Sequence, residues 1–144
     1  MNNFLELKKI QKYFTTEKKI KVLRDLSQKF KLGKIYAIMG PSGSGKSTLL
    51  NLISLIDRPT AGSIIFDKVA IDFNESKKND LFRAQKIGIV YQQNNLLSDF
   101  TALENVYFAS LSLTNNKKSA VSKAEKLLKK IGLSNRLDHF PSQL

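Results

Sequence analysis

The octapeptide GPSGSGKS, at positions 40–47, constrains the fold of this chain more than any other stretch of its sequence. It matches the pattern G-x-x-x-x-G-K-[ST] at every fixed position. The run KIYAIMG (34–40) is almost wholly apolar, which predicts a strand buried on both faces of a parallel sheet. After the loop, apolar residues recur every three or four positions, at Leu49, Leu52, Ile53 and Ile56. That spacing predicts a helix with one apolar face, so the loop lies in the context that this phosphate-binding pattern requires.

The residue types of this loop suit the phosphates of a nucleotide. Its three glycines let the backbone bend and approach a ligand closely, and the helix start offers unpaired N–H groups to an anion. Lys46 adds a cation that can reach the β- and γ-phosphates, the Ser47 hydroxyl can ligate Mg²⁺, and Thr48 can donate near the α-phosphate. The predicted site for a nucleoside triphosphate with magnesium comprises Gly40, Pro41, Ser42, Gly43, Ser44, Gly45, Lys46, Ser47 and Thr48.

The rest of the pattern indicates an α/β chain. Short alternating apolar patterns in the first third predict strands, and SIIFD and VAID predict the two strands of a hairpin. Residues 74–86 are predicted to form a helix, and IGIVYQ (87–92) a second strand of the buried type. Strands that alternate with helices in this way are typical of the α/β class.

Two further helices are predicted towards the end of the sequence. Thr101 and Glu104 predict a capping box at the start of the helix ALENVYFASL. One apolar face of the next helix is lined by Val121, Ala124, Leu128 and Ile131, with Leu127 beside them. Gly132 is predicted to cap the C-terminus of that helix.

Charge and composition restrict the classes of function. A formal net charge of +12 suits a nucleic-acid partner, but the lysines are spread as pairs and no arginines interleave with aromatic residues, so that partner is not expected. The chain has no cysteine, which excludes disulfides and thiolate metal sites. No apolar run is long enough to span a bilayer and the N-terminal residues do not match a signal peptide, so a cytoplasmic location is expected.

Three segments resemble the ATP-binding cassette domains of ABC transporters. They are IMGPSGSGKSTLLNLISLIDRPTAGSI, IGIVYQQNNLLSDFTALENV and KLLKKIGLSNRLDHFPSQL, and the similarity runs from about Leu5 to Leu144. TALENV and DRPTAG are most similar to the branch that serves lipoprotein-release, macrolide-export and cell-division complexes. The resemblance implies a P-loop NTPase core with an N-terminal antiparallel β subdomain (1–92 in all), followed by a partial helical subdomain (93–144). It also implies ATP and Mg²⁺ as ligands.

The resemblance also implies roles for residues outside the loop. Tyr13 matches the aromatic residue that stacks on adenine, with Phe14 as the alternative if the register differs. Gln92 matches the glutamine that contacts Mg²⁺ and the attacking water, with Gln93 as its alternative. Residues Asn94 to Ala102 would form part of the groove that receives a transmembrane permease on the inner face of the membrane. A second ATP-binding subunit would complete a head-to-tail dimer.

The catalytic carboxylates of that family are not found in this sequence. They form an Asp-Glu pair at the end of an apolar strand, whereas the apolar run that ends at Asp67 is followed by Lys68, so Asp67 is expected at the end of a surface strand. His139 does not match the switch histidine of the family and is expected at the surface. Because Leu144 matches the first residue of the family signature, the chain is expected to be the first part of a longer domain. The alternative hypotheses are a fragment that binds nucleotide without hydrolysis and another P-loop ATPase, such as one of DNA repair.

Overall fold

A computed structural model describes residues 3–15 and 17–144 of the chain. The described residues form two compact units, of which the first ends at Arg83 and the second runs from Ala84 to Leu144. The first unit contains the strands and the glycine-rich loop, and the second contains a pair of helices. Nowhere in residues 3–15 and 17–144 is a helix long and apolar enough to cross a bilayer.

In the described part of the first unit, the strands form one antiparallel sheet. The strands are β1 (Asn3–Thr15), β2 (Lys19–Lys31), β3 (Ala61–Phe66) and β4 (Val69–Ala70), in the spatial order β2-β1-β3-β4. β1 pairs with β2 on one edge and with β3 on the other. Leu7, Ile10 and Ile64 of this sheet are almost inaccessible to solvent. The antiparallel N-terminal sheet expected from the sequence is therefore confirmed.

β3 and β4 form the predicted hairpin, which turns at Asp67 and Lys68. Both residues have positive φ angles, 43° and 70°. Positive φ at both central positions is the type I′ geometry, whose twist matches that of the flanking strands. Asp67 is exposed there, and its backbone N–H donates to the carbonyl of Phe4 (2.7 Å). Asp67 thus ends a surface strand, in agreement with the sequence analysis.

Helix α1 (Lys46–Ile53) follows the glycine-rich loop and buries Leu49 and Leu52. It ends earlier than predicted, because Leu55 adopts a left-handed conformation with a φ of 57°. The N–H of Leu55 then bonds to the carbonyl of Leu52 (3.1 Å), and the N–H of Ile56 bonds to that of Asn51 (3.0 Å). These two bonds close the last turn of the helix. Ile56 consequently lies beyond the helix and is 46% exposed, so its predicted place on the apolar face is wrong.

The two segments predicted as buried strands, residues 34–40 and 87–92, have no regular secondary structure. Ile35 and Val90 are fully exposed, and Met39 is 88% exposed. A strand of a parallel sheet needs a hydrogen-bonded neighbour on each side and helices on both faces. The sheet formed by the described strands places no such neighbour beside either segment. The prediction of strands here is wrong for this structure, and the apolar pattern remains on exposed chain.

Helix α2 (Ser76–Lys86) agrees with the prediction for residues 74–86. In the second unit, α3 (Ala102–Thr114) begins with the predicted capping box of Thr101 and Glu104. α4 (Lys117–Lys130) packs against α3 around Tyr107, Ala120 and Ala124.

The C-terminus of α4 is closed by Gly132, as predicted. Gly132 has a φ of 79°, and its N–H bonds to the carbonyl of Lys129 (3.1 Å). The N–H of Leu133 bonds to the carbonyl of Leu128 (2.9 Å), which completes a Schellman motif. Ile131 occupies the cap and is 69% exposed, so it does not belong to the buried face that the sequence predicts.

The residues after α4 return to the start of α3. Short 3₁₀ turns lie at Ser134–Arg136 and Pro141–Gln143. Between them, the carbonyls of Leu137 and His139 accept hydrogen bonds from the N–H groups of Leu103 (3.0 Å) and Ala102 (2.8 Å). His139 is half-buried rather than fully exposed. These bonds satisfy two N–H donors that the first turn of a helix leaves without intrahelical partners.

An ion pair between Lys12 and Asp57 joins β1 to the segment after α1. Lys12 is only 8% exposed. Its Nζ donates to Oδ1 of Asp57 (2.7 Å) and to the carbonyl of Arg58 (2.8 Å). A nearly buried ammonium needs such partners, because an uncompensated charge away from water is costly.

Asp57→Asn is expected to lower the free energy of unfolding by about 2 kcal/mol. Removing one partner of a fully buried pair costs about 3–5 kcal/mol, and the effect here is smaller because the side chain of Asp57 is 33% exposed. The measurement is urea unfolding, with Asp80→Asn as the control, since Asp80 pairs with Arg83 at the surface (3.0 Å). The control should cost about 0.5 kcal/mol or less. Equal losses in the two variants would show that the Lys12 pair does not stabilise the fold.

Candidate nucleotide-binding site

The glycine-rich loop, residues 40–45, reaches α1 through a backbone that only glycine adopts easily. Gly43 and Gly45 have φ angles of 77° and 92°, in the left-handed region. The N–H of Ser44 bonds to the carbonyl of Pro41 (3.3 Å), which closes a tight turn within the loop. Pro41, Ser42 and Ser44 are exposed on this turn. The loop therefore presents its backbone to solvent immediately before the helix.

The N-terminus of α1 is open. Gly45 is the N-cap residue and supplies no side-chain hydrogen bond, and the first helical bond runs from the N–H of Leu49 to the carbonyl of Gly45 (2.9 Å). The N–H groups of Lys46, Ser47 and Thr48 precede that bond, so they have no acceptor within the helix. Together with the positive end of the helix dipole, they form an environment that favours an anion.

Lys46 places its ammonium on the loop. Its Nζ donates to the carbonyls of Gly40 (2.9 Å) and Pro41 (2.8 Å). The side chain therefore folds back over the loop rather than extending into solvent, and its charge lies next to the open helix end. An ammonium and several backbone N–H groups converging on one place can bind a polyphosphate.

Gly45 also packs the loop against β2. A Cβ atom at this position would lie 3.0 Å from Cγ1 of Val22 and 3.2 Å from Cδ2 of Leu23. The register of β1 with β2 shifts between Lys12 and Tyr13, so Val22 is the extra residue of a β-bulge. The sequence analysis did not find this contact. The one available signal was the third glycine of the loop, which fits a position without room for a side chain.

Tyr13 lies on β1 opposite Lys21 of β2, one register position from the bulge that Gly45 contacts. Its backbone N–H donates to Oγ1 of Thr60 (3.1 Å), and its side chain is half-buried. Phe14, the alternative aromatic residue, is 43% exposed, and the ammonium of Lys12 lies 5.2 Å from its ring centre. Tyr13 and the loop are thus held by neighbouring positions of one hairpin.

Gln92 lies in the second unit, in the exposed irregular segment that follows α2, and so does Gln93. The contacts of the described residues do not assign either side chain a role, so both remain predictions. The later part of the segment Asn94–Ala102, which is predicted to contact a permease, is held by hydrogen bonds. Asn105 of α3, which the sequence analysis missed, donates through Nδ2 to the carbonyls of Leu97 (3.1 Å) and Phe100 (2.9 Å).

The carboxylates of the described residues do not form a metal-binding cluster. Within residues 3–15 and 17–144, no group of three or more His, Asp or Glu side chains is placed to hold a metal ion. Asp67, the carboxylate that follows the apolar run of residues 64–66, lies at the β3–β4 turn. The arrangement can therefore hold phosphates through N–H groups and Lys46, whereas the Asp-Glu pair sought in the sequence does not occur at Asp67, which is followed by Lys68.

A family model described as ABC transporter matches residues 23–144. The lipoprotein-releasing system ATP-binding protein LolD of Rickettsia bellii is 42% identical over 99% of this chain and 63% of its own length. LolD of Saccharophagus degradans is 44% identical over 94% of this chain and 59% of its own. The macrolide export ATP-binding/permease protein MacB of Aggregatibacter actinomycetemcomitans is 40% identical over 99% of this chain and 22% of its own. The chain thus spans less than two thirds of these relatives.

Solved structures show the same architecture. The ATP-binding cassette MJ0796, in a dimeric post-hydrolysis state bound to ADP and Pi, matches with a TM-score of 0.86 and 34% identity. That match covers 97% of this chain and 62% of the other. The protein cbiO1 from Clostridium perfringens, part of the cbiONQ complex, matches with a TM-score of 0.74 and 26% identity, over 100% of this chain and 56% of the other. These matches confirm the predicted fold class.

Gly45→Ala is expected to lower the free energy of unfolding by about 2–3 kcal/mol, because the methyl group adds overlap with Val22 and Leu23 to the strain of a left-handed residue. Gly43→Ala is the matched control: its φ is also positive, but nothing lies within 4 Å of the added Cβ. It should cost only the conformational strain, about 1 kcal/mol. Urea unfolding measures both. Equal losses would contradict the packing of the loop on β2.

Proposed function

The chain belongs to the ABC transporter family, and from that membership we propose that it is the ATP-binding part of a transporter. In this proposal it binds MgATP and powers transport through a partner permease. The observation that carries the proposal is the open N-terminus of α1, where the ammonium of Lys46 lies beside three N–H groups without helical acceptors. The names of the LolD and MacB relatives, and of the nucleotide-bound cassette, support it.

The loop residues have distinct proposed roles. The N–H groups of residues 43–48 bind the phosphate oxygens, and Lys46 exchanges its carbonyl partners for the β- and γ-phosphates. The exchange is favourable because a hydrogen bond between two charged groups is about twice as strong as a neutral one. Tyr13 stacks on the adenine, which adds affinity through a planar apolar contact. Thr48 donates near the α-phosphate.

The residues present also fit Mg²⁺, which prefers oxygen ligands. Ser47 is exposed at the start of α1, so its hydroxyl is available to the ion. Gln92 is the second proposed ligand, through its amide oxygen, on the basis of the family resemblance alone. The bound ion would neutralise phosphate charge, and Ser47 and Gln92 would orient it.

The partners are proposed from the same relatives. A transmembrane permease is expected to contact residues 94–102, whose end is held by Asn105. A second ATP-binding subunit is expected as well, since the MJ0796 cassette is described as dimeric. The protein would then lie on the cytoplasmic face of the membrane, with residues 1–92 as the β subdomain and core and residues 93–144 as the helical part.

Two alternatives carry different expectations. The first is a fragment that binds nucleotide without hydrolysis, and the comparisons do not favour it over a transporter ATPase, although no Asp-Glu pair occurs among residues 1–144. Another kind of P-loop ATPase, such as one of DNA repair, is not favoured by the comparisons, because the family model and the relatives are ABC transporter proteins.

Lys46→Ala is expected to weaken MgATP binding by at least about tenfold, because the change removes the cation of the phosphate site and its charge-assisted bonds. Calorimetric titration measures the affinity. Lys77→Ala, which removes the same charge from an exposed position of α2, is the control and should bind as the unchanged protein does. If Lys46→Ala binds MgATP with unchanged affinity, the loop is not the nucleotide site.

A polypeptide of residues 1–144 is expected to hydrolyse ATP no faster than the background rate, with Mg²⁺ present. Binding uses groups that contact the ground state, whereas acceleration needs groups placed for the transition state. The water-orienting carboxylate and the donors of a partner subunit would both be missing, and each is worth orders of magnitude in rate. Phosphate release is the measurement. Steady release that disappears in Lys46→Ala would contradict this expectation.

A further inference from the structure

Two lysines of β2 lie over the ring of Tyr13. Lys21 is directly opposite Tyr13 in the β1–β2 pairing, and Lys19 is two positions nearer the turn, so all three side chains point to one side of the hairpin. The ammonium of Lys19 is 4.2 Å from the ring centre, and that of Lys21 is 5.3 Å away. The first distance is well inside the range in which a cation interacts with an aromatic face.

The two lysines differ in their other partners. Nζ of Lys21 is also 3.9 Å from Oδ2 of Asp25, so part of its charge is offset. Lys19 makes no ion pair with any carboxylate of the described residues, and its ammonium lies on the ring of Tyr13. Lys19 is therefore the cation that acts most directly on the Tyr13 ring.

The ring itself is held in place before any ligand arrives. The hydroxyl of Tyr13 donates to Oε1 of Gln11, and Nε2 of Gln11 donates to Oδ1 of Asp25. The backbone of Tyr13 is fixed by its bond to Thr60 (3.1 Å). A ring restrained at its hydroxyl, at its backbone and on one face loses little entropy when a base stacks on it.

Lys19 and the glycine-rich loop approach Tyr13 from opposite ends of the strand. Lys19 lies towards the β1–β2 turn, whereas Gly45 packs at Val22 and Leu23, on the other side of Lys21. A base attached to phosphates on the loop would reach Tyr13 from the side of Val22.

We propose that Lys19 is a specificity-determining residue of the nucleotide site. In this proposal the ammonium of Lys19 stays on one face of Tyr13, restrains the ring while a base stacks on the other face, and withdraws electron density from the ring. A ring polarised in this way stacks more favourably on an electron-rich purine than on a pyrimidine. Lys19 thereby favours adenine nucleotides over CTP. The inference rests on the proposed function, because it requires that the loop bind nucleotide.

The test uses calorimetric titration of the chain with MgATP, MgCTP and inorganic tripolyphosphate. Lys19→Met keeps an unbranched side chain on the ring and removes the charge. It should weaken MgATP binding by about two- to fivefold, leave tripolyphosphate unchanged, and reduce the preference for MgATP over MgCTP. Lys29→Met, at an exposed position of β2 away from Tyr13, makes the same charge change and should leave all three affinities unchanged.

A double-mutant cycle with Tyr13→Ala separates stacking from general attraction. Tyr13→Ala should weaken the affinity for MgATP by about five- to thirtyfold and hardly affect that for tripolyphosphate. In that background, Lys19→Met should have no further effect.

Three outcomes would each overturn the inference: an effect of Lys19→Met on tripolyphosphate affinity, an undiminished effect of Lys19→Met in the Tyr13→Ala background, or no loss of MgATP affinity in Lys19→Met. If the unchanged protein does not bind MgATP, or binds it without needing Lys46, the proposed function fails together with the inference. Lys46-dependent binding with a silent Lys19→Met leaves the proposed function standing and rejects the inference alone.

Discussion

The contact of Gly45 with the bulged part of β2 fixes where the phosphate loop lies relative to the β1–β2 hairpin. Gly45 lies so close to β2 that a Cβ atom there would be 3.0 Å from Val22 and 3.2 Å from Leu23, and α1 begins directly afterwards. The open helix end, Lys46 and the aromatic residue of β1 then all belong to one compact unit. This close approach positions the loop relative to the hairpin, whereas the bond from Ser44 to Pro41 and the bonds of Lys46 to Gly40 and Pro41 hold the internal shape of the loop.

Three lysine ammonium groups of the first unit each contact a different kind of partner. Lys12 is nearly buried and bonded to Asp57, which ties the centre of β1 to the end of α1. Lys46 is bonded to carbonyls that carry no formal charge, so it can exchange them for phosphate oxygens. Lys19 rests on an aromatic ring. These three lysines therefore have different structural roles, and the net charge of the sequence by itself does not identify a binding partner.

Local signals in the sequence predicted the local structure well. The P-loop pattern, the capping box at Thr101 and the C-terminal glycine at Gly132 depend on residues within a few positions of one another, and the structure reproduces the helix boundaries that they define. The segments 34–40 and 87–92 were predicted as strands from composition alone. Composition records that a segment is suited to burial between neighbours, but it cannot supply those neighbours. The contact of Val22 was missed for a related reason, since it depends on strand pairing between distant positions. The bonds of Asn105 are local, but they depend on the path of an irregular segment that no sequence pattern specifies.

The helices α1, α3 and α4 differ in the hydrogen-bond acceptors available to the N–H groups of their first turns. α3 is closed by Thr101 and by carbonyls of residues 137 and 139, and the side chain of Asn116 caps α4. α1 begins after a glycine and has no such cap. An anion approaching these helices therefore competes with the protein's own acceptors at two of them and meets free donors at the third. If the loop binds phosphate as proposed, the satisfied hydrogen bonds at the starts of α3 and α4 would help to direct the anion to α1, in addition to the motif itself.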